Sequence, residues 1–198
     1  MAKCLIENSL LLIPELTIAE TLGTIRKMKT TRIELWRILE HKFCVDLKND
    51  FSNKDVIGWL NHFAPNKKIN IYQHGKGKTT KIYTGNLLNS ILNGRIPAKL
   101  MATIYFRKLA KQNYNHSEIE LLGIQKNTEN ESITKVHIRF LRFNTSGEMY
   151  ESAVGIYELI ENNGNWYIVE MSIYDDNESA LPSVDLSKMW FPEKENSA

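Results

Sequence analysis

The chain has 198 residues, of which 42% are hydrophobic and 24% are charged. This balance is typical of a globular domain with its own core. The formal net charge is only +2, so the composition gives no electrostatic reason to expect a nucleic-acid partner. No stretch is long and apolar enough for a membrane span, and the apolar run before Pro14 is too short for a secretion signal. The two cysteines form no CxxC pattern, which favours a reducing, cytoplasmic location.

The first third of the sequence predicts helices. Apolar residues at helical spacing predict two helices over about 17–29 and 31–48. A third helix should be capped by Ser52–Asp55, with Asp55 in its first turn, where a negative charge favours the helix dipole. It should end at Ala64-Pro65, because proline cannot continue a helix.

Short elements alternate in the middle of the chain. Ile69–Tyr72 and Lys81–Tyr83 are predicted strands, and helices are expected at Asn86–Leu92 and Pro97–Gln112. The glycine-rich segment Gly75–Thr79 between the two strands lacks the spacing of a phosphate-binding loop, and a strand rather than a helix follows it. We therefore predict a solvated hairpin tip there.

The last third predicts strands at about 116–126, 132–143, 148–161 and 165–175. Asn163-Gly164 lies between the last two, and this pair favours a type I′ turn because both central residues need φ > 0.

Counting outward from a two-residue Asn163-Gly164 loop predicts which side chains share a face of the sheet. The predicted core face is nearly all apolar and consists of Val154, Ile156, Glu158, Ile160, Tyr167, Val169, Met171 and Ile173. The other face would hold Gly155, Tyr157, Leu159, Trp166, Ile168, Glu170, Ser172 and Tyr174.

The preceding hairpin allows two registers. A three-residue loop at Thr145–Gly147 pairs Asn144 with Glu148 and directs Val136, Ile138 and Phe140 toward the core. A loop of two or four residues would instead turn His137 and Arg139 inward. The number of buried apolar side chains favours the three-residue loop.

Helices followed by a long meander define an α+β fold, with helices on one face of a bent antiparallel sheet. The element order resembles the NTF2-like (SnoaL-like, cystatin-like) superfamily over roughly 31–175. The residues that carry the resemblance are Asn61–Pro65 before the strand Ile69–Gln73, then Thr84–Leu88, then the final strand Trp166–Tyr174. The resemblance implies a cavity between helices and sheet. The superfamily includes isomerases, dehydratases, cyclases, transport factors and assembly domains, so the fold does not fix a function.

Three parts of the chain follow from this interpretation. An N-terminal helical extension is expected at 1–30, an NTF2-like domain at 31–175 and a C-terminal tail at 176–198. Trp190 and Phe191 are too apolar for a solvated tail, so we expect the tail to dock on the domain or on a partner subunit.

Candidate site residues are few. His74 and His62 flank the strand that, by resemblance, lies at the cavity mouth, and Glu158 is the one carboxylate on the predicted core face. A structural role is commoner for each. The side chains that could line an aromatic cavity, or else simply fill the core, are Trp36, Trp59, Tyr72, Tyr83 and Met171. The histidine and cysteine spacings match no metal site, and no cofactor is predicted.

The sequence favours a non-catalytic module that binds a small apolar ligand or a protein partner. One alternative is a small-molecule isomerase, dehydratase or cyclase that uses His74 or His62 with Glu158 or Tyr72. Another is a structural assembly domain. A homodimer is expected through the second sheet face, whose large side chains are Tyr157, Trp166, Ile168 and Tyr174.

Overall fold

The fold is taken from a computed structural model. It describes residues 31–75, 77–86, 98–126, 132–175 and 189–191. The predicted helix at 17–29 lies outside the described residues, as does the predicted helix Asn86–Leu92 except for Asn86. The docking of the tail can be followed only at 189–191.

Four α-helices and one π-helical segment make up the helical part of the described chain. The helices are α1 (Arg32–His41), α2 (Lys48–Ser52), α3 (Val56–Asn61) and α4 (Ala98–Lys111). The π-helical segment (Lys42–Leu47) joins α1 directly to α2. The carboxylate of Asp55 caps α3 by accepting hydrogen bonds from the backbone N–H groups of Ile57 and Gly58, both at 3.0 Å.

Seven strands form one sheet in the order β2-β1-β6-β5-β4-β3-β7. Their bounds are β1 Lys68–Gly75, β2 Lys78–Asn86, β3 Tyr114–Lys126, β4 Ile133–Asn144, β5 Met149–Asn162, β6 Asn165–Asp175 and β7 Met189–Trp190. The pairs are antiparallel except β1 with β6, which run parallel. The sheet is therefore mixed rather than wholly antiparallel, because β1 enters beside the last long strand.

The core lies between the helices and one face of this sheet, the helix-side face. Leu39 and Phe43 from the first helical stretch are fully buried, as are Ile138, Leu159 and Ile168 from the sheet. These side chains belong to one continuous apolar cluster, which is the arrangement that an α+β layer needs to remove its apolar surface from water.

The predicted choice of core face in β5 and β6 is wrong. The Asn163-Gly164 turn forms as expected, with both residues at positive φ, and Ile160 does pair with Tyr167. The register then shifts between Glu158 and Leu159, so that Glu158 pairs with Glu170 instead of Val169.

This β-bulge has a simple physical reason. Leu159 and Ile168 are buried opposite each other, so a regular hairpin would leave Met171 on the outward face together with Glu158. One extra residue in β6 reverses the alternation beyond it. Tyr157 then pairs with Met171, and both face the helices, while Glu158 and Glu170 face outward together. We call the opposite side of the sheet the outer face; it carries Asn70, Tyr72, His74, Lys135, His137, Arg139, Glu158, Glu170 and Tyr174.

The preceding hairpin has the predicted three-residue loop. The backbone N–H of Asn144 donates to the carbonyl of Glu148 at 2.9 Å, and Gly147 has φ +81°. Val136, Ile138 and Phe140 are buried in the core, so this register prediction is confirmed.

Residues 189–191 lie against the far edge of the sheet. In β7, Trp190 pairs with Ile124 of β3, and its indole makes an edge-to-face contact with Trp36 of α1, with ring centroids 5.5 Å apart. Met189 and Phe191 occupy the space beside Gly123, where a Cβ atom would collide with the Met189 methyl group.

Candidate functional site

Three polar side chains from the helical stretch meet in a line. The Nε2 atom of His62 lies 2.9 Å from Oδ2 of Asp50, and its Nδ1 atom lies 3.2 Å from Nζ of Lys42. A carboxylate has no proton to donate and an ammonium has no lone pair, so Nε2 must donate to Asp50 and Nδ1 must accept from Lys42. The neutral Nε2–H tautomer of His62 satisfies both bonds.

Local structure explains how the three residues converge. Lys42 is the first residue of the π-helical segment, a geometry that recurs at functional sites because it re-aims side chains. Asp50 lies on α2, and His62 is the C-cap residue of α3. Gly58 allows α3 to approach closely, since a Cβ atom there would lie 2.6 Å from Cγ of Asp50.

Burial determines whether Lys42 and His62 carry a proton. Burial lowers the pKa of Lys42 to about 8, and the carboxylate of Asp46 partly offsets this. Burial also lowers the pKa of His62, helped by the positive charge of Lys42 and opposed by Asp50. His62 is therefore neutral at neutral pH, while Lys42 holds a proton that it can release more readily than an exposed lysine does.

Lys42 opens onto a surface groove of about 570 Å³, within the size range of small-molecule sites. One wall comes from α1 and the π-helical segment and the other from the turn and first residues of the β5–β6 hairpin. The residues that give the groove its chemistry are Arg37, His41, Lys42, Asp46, Trp166 and Tyr167. His41 and Asp46 are 3.3 Å apart and both largely exposed, so two basic side chains and an aromatic wall remain as the distinctive features.

The predicted catalytic candidates do not come together. His62 lies in the helical layer and joins Lys42 and Asp50. His74 lies on the outer face of the sheet, where its ring stacks on Tyr174 at 4.2 Å and Nδ1 lies 2.9 Å from the hydroxyl of Thr79. The carboxylate of Glu158 faces outward and pairs with Lys135 at 2.8 Å.

The five predicted lining residues do not surround one cavity. Trp59 and Tyr83 are buried and line an interior pocket of only about 10 Å³, room for one water molecule at most. Met171 is buried in the same core, and Trp36 packs on Trp190. Tyr72 lies on the outer face with Lys81 over its ring, so it cannot share a pocket with the others.

The predicted interface residues are divided between the two faces. Tyr157 and Ile168 belong to the buried core, so the prediction that they lie on an exposed face is wrong. Trp166 comes two residues before Ile168 in β6, so its side chain points to the same helix-side face, where it lines the groove. Tyr174 does lie on the outer face, half-buried beside His74. Tyr157 shares a face of β5 with the buried Leu159, so it was misplaced because the prediction took the opposite face of this strand for the core.

A second polar cluster lies at the other end of the helix-side face. Arg142 is buried there, pairs with Glu151 and donates to the Tyr105 hydroxyl at 2.8 Å. Its guanidinium lies over the rings of Phe51 and Tyr105. Burial raises the pKa of Tyr105, which keeps this phenol protonated. The hydrogen bond between Arg142 and Tyr105 joins β4 to α4 and so holds α4 onto the sheet.

Neither Lys42 nor Asp50 was singled out from the sequence. The sequence pattern offers little that could have predicted these two residues as partners of His62. The three residues lie on separate helical elements, and only the packing of those elements brings them together. His62 alone was identified, from its place before the first strand.

The described ranges contain neither a metal site nor a membrane-spanning helix. Among residues 31–75, 77–86, 98–126, 132–175 and 189–191, no group of three His, Cys, Asp or Glu side chains could hold a metal ion. Within these same ranges, every helix is too short or too polar to cross a membrane.

Comparison with known proteins supports the fold and goes no further. The sequence matches no protein-family model and no curated protein. A domain of unknown function with a cystatin-like fold from Nostoc punctiforme PCC 73102 superposes with a TM-score of 0.50, at 11% identity over 76% of this chain and 82% of that one. A second cystatin-like protein of unknown function from the same organism gives 0.48, at 16% identity over 80% and 99%. An NTF2-like protein of unknown function from Shewanella oneidensis MR-1 gives 0.47, at 9% identity over 71% and 96%.

The chain has an α+β fold of the NTF2-like, cystatin-like kind. This confirms the fold predicted from the element order and the terminal hairpin. At such low identity the likeness concerns the fold alone, and function must be argued from the residues of this chain.

Proposed function

We propose that this protein is a small-ligand binding module whose site is the groove at Lys42, and that its ligand joins an acidic group to a flat apolar part. The observation that carries the proposal is the combination of a half-buried lysine, oriented from behind by His62, with the aromatic side chain of Trp166 in the same groove. A cation in a half-dry site favours an anion, since charge-assisted hydrogen bonds strengthen as water is excluded.

The groove is a better place for the ligand than the interior expected from the resemblance. The interior pocket beside Trp59 and Tyr83 holds about 10 Å³, whereas the groove holds about 570 Å³. An apolar ligand enclosed between helices and sheet would require the core to open.

The test is an NMR titration with phenylacetate, with phenethylamine as the charge-inverted probe. Phenylacetate should shift the signals of Gly164, Asn165 and the Trp166 indole, and the amine should not. The variant Lys42→Gln should weaken phenylacetate binding about tenfold or more, the loss expected for one charge-assisted hydrogen bond. Lys48→Gln is the matched control, since Lys48 is another half-buried lysine of the same helical stretch. Equal shifts with both probes, or no shift at the hairpin, would exclude the proposal.

A second candidate is self-association, which the small volume of the pocket beside Trp59 and Tyr83 favours, because a fold without a ligand cavity can serve assembly alone. The outer face at Tyr174 is the surface we propose for a homodimer. Light scattering on the wild type and on Tyr174→Lys tests this: a dimer that the variant abolishes supports it, and a wild-type monomer at high concentration excludes it.

A further inference from the structure

We propose that Lys42 is a nucleophilic amine that forms an imine with the carbonyl group of an aryl α-keto acid held in the groove. This rests on the proposed function, because the same groove must first bind the acidic and aromatic parts of the ligand. It adds a covalent step at one named atom, Nζ of Lys42.

The geometry provides what an imine-forming lysine needs. His62 lies 3.2 Å from Nζ and is held from behind by Asp50 at 2.9 Å. The imidazole therefore has a fixed orientation, with its Nδ1 lone pair aimed at the amine. A neutral His62 can accept a proton from the Lys42 ammonium and leave the amine free to attack.

The groove fits the rest of the ligand. Arg37 lines the same groove as Lys42 and can pair with a carboxylate in the two-pronged manner of a guanidinium. Trp166 lines the same groove, and its indole is a surface on which an aromatic ring can stack. A keto acid places its carbonyl carbon next to its carboxylate, so a ligand anchored at Arg37 can present that carbon to Lys42.

The step balances without any oxidant or reductant. The lone pair of Nζ attacks the carbonyl carbon, a C–N bond forms, and the carbonyl π electrons move to oxygen, which takes a proton. The resulting carbinolamine then loses its hydroxyl group as water while C=N forms. Ammonium plus ketone gives iminium plus one water. His62, which touches Lys42 rather than the ligand, is a positioning residue that carries the proton in transit.

The protonation of Lys42 suits this chemistry. Burial lowers the pKa of Lys42 to about 8, so a useful fraction is free amine near neutral pH. The charged groups around it are Asp46 on the next turn, Arg37 and His41 in the groove, and the Asp50–His62 pair behind. Below this pKa the free-amine fraction falls about tenfold per pH unit, so the rate of imine formation should rise with pH up to about 8 and then level off.

The experiment is reductive trapping. The whole chain is incubated with phenylpyruvate and borohydride, and the attachment site is mapped by peptide mass spectrometry. We expect the adduct on Lys42 in preference to Lys48, and we expect Asp46→Asn to move the pH midpoint of trapping downward, because Asp46 raises the pKa of Lys42. A role for Lys42 in folding alone would not move that midpoint.

The outcomes separate this inference from the proposed function. Phenylacetate has no ketone carbonyl, so its binding reports on the groove alone, whereas trapping with phenylpyruvate reports on the imine. Phenylacetate binding without a Lys42 adduct would overturn the imine and leave the binding module intact. No binding of either acid at the groove would overturn both. An adduct spread evenly over the lysines would also overturn the proposed imine at Lys42. This outcome is read from the wild-type protein, so it does not depend on a variant that fails to fold.

Discussion

The Nε2 atom of His62 donates to Oδ2 of Asp50 at 2.9 Å, with His62 buried and the Asp50 side chain 31% exposed. This bond joins α2 to the end of α3 and holds the imidazole that faces Lys42. It also connects two short helices whose lengths, five and six residues, give them little stability alone.

Asp50→Ala should therefore lower the free energy of unfolding by about 1–2 kcal/mol, the cost of leaving a buried imidazole donor without its charged partner. The measurement is urea unfolding. Asp46→Ala is the control, since its pairing with His41 is exposed and should matter by no more than about 0.5 kcal/mol. Equal losses of unfolding free energy in the two variants would show that the His62–Asp50 bond stabilises the fold no more than an exposed ion pair does.

Gly58→Ala tests the same bond from the opposite side. A Cβ atom at Gly58 would lie 2.8 Å from both carboxylate oxygens of Asp50, so the carboxylate must move away from His62. Because Asp50 raises the pKa of His62, its displacement should lower that pKa further. A histidine NMR titration measures the change. An unaltered His62 titration in Gly58→Ala would mean that the carboxylate keeps its bond.

Lys42 should leave a signature in the pH dependence of stability. Its pKa falls from 10.5 to about 8 on folding, so between these values the unfolded chain binds more protons than the folded chain. Stability contributed by this group must then rise with pH across that window. The unfolding free energy of the wild type minus that of Lys42→Met should therefore rise with pH across this window. A free-energy difference that does not vary with pH would contradict the lowered pKa of Lys42.

The contact between Trp36 and Trp190 predicts that β7 is coupled to α1. The indoles meet edge to face with centroids 5.5 Å apart, and such pairs contribute about 0.5–1.5 kcal/mol beyond their burial. A double-mutant cycle with Trp36→Ala and Trp190→Ala should give a coupling energy of that size. Additive effects of the two substitutions would mean that β7 docks independently of α1.

Much of the fold could be predicted from sequence because its signals are local. The Asn163-Gly164 turn, the Thr145–Gly147 loop and the helix Pro97–Gln112 all have their own sequence cues, and they form as β5–β6, β4–β5 and α4. The bulge beside Glu158 could not be predicted, since no residue type requires it. With one residue of β6 left unpaired, Glu158 and Glu170 both face outward while Tyr157 and Met171 both face the core. Regular pairing could not separate the glutamates from these apolar residues in this way.

The site was harder to predict for a similar reason. Lys42, Asp50 and His62 lie on three helical elements with no shared spacing, and a π-helical segment sets the direction of Lys42. Glu158 was chosen from an assumed core face and His74 from its place beside the first predicted strand, and the sheet places both on the outer face. Residue type suggested His62 correctly, whereas its partners follow only from packing.

The most direct test of the ligand site is a set of intermolecular NOEs between phenylacetate and the protein. If the groove is the binding site, the ring protons of phenylacetate will show NOEs to the Trp166 indole and to Tyr167, which line it. NOEs to Trp59 or Tyr83 instead would place the ligand in the interior and contradict the account, and so would the absence of any NOE to the β5–β6 hairpin.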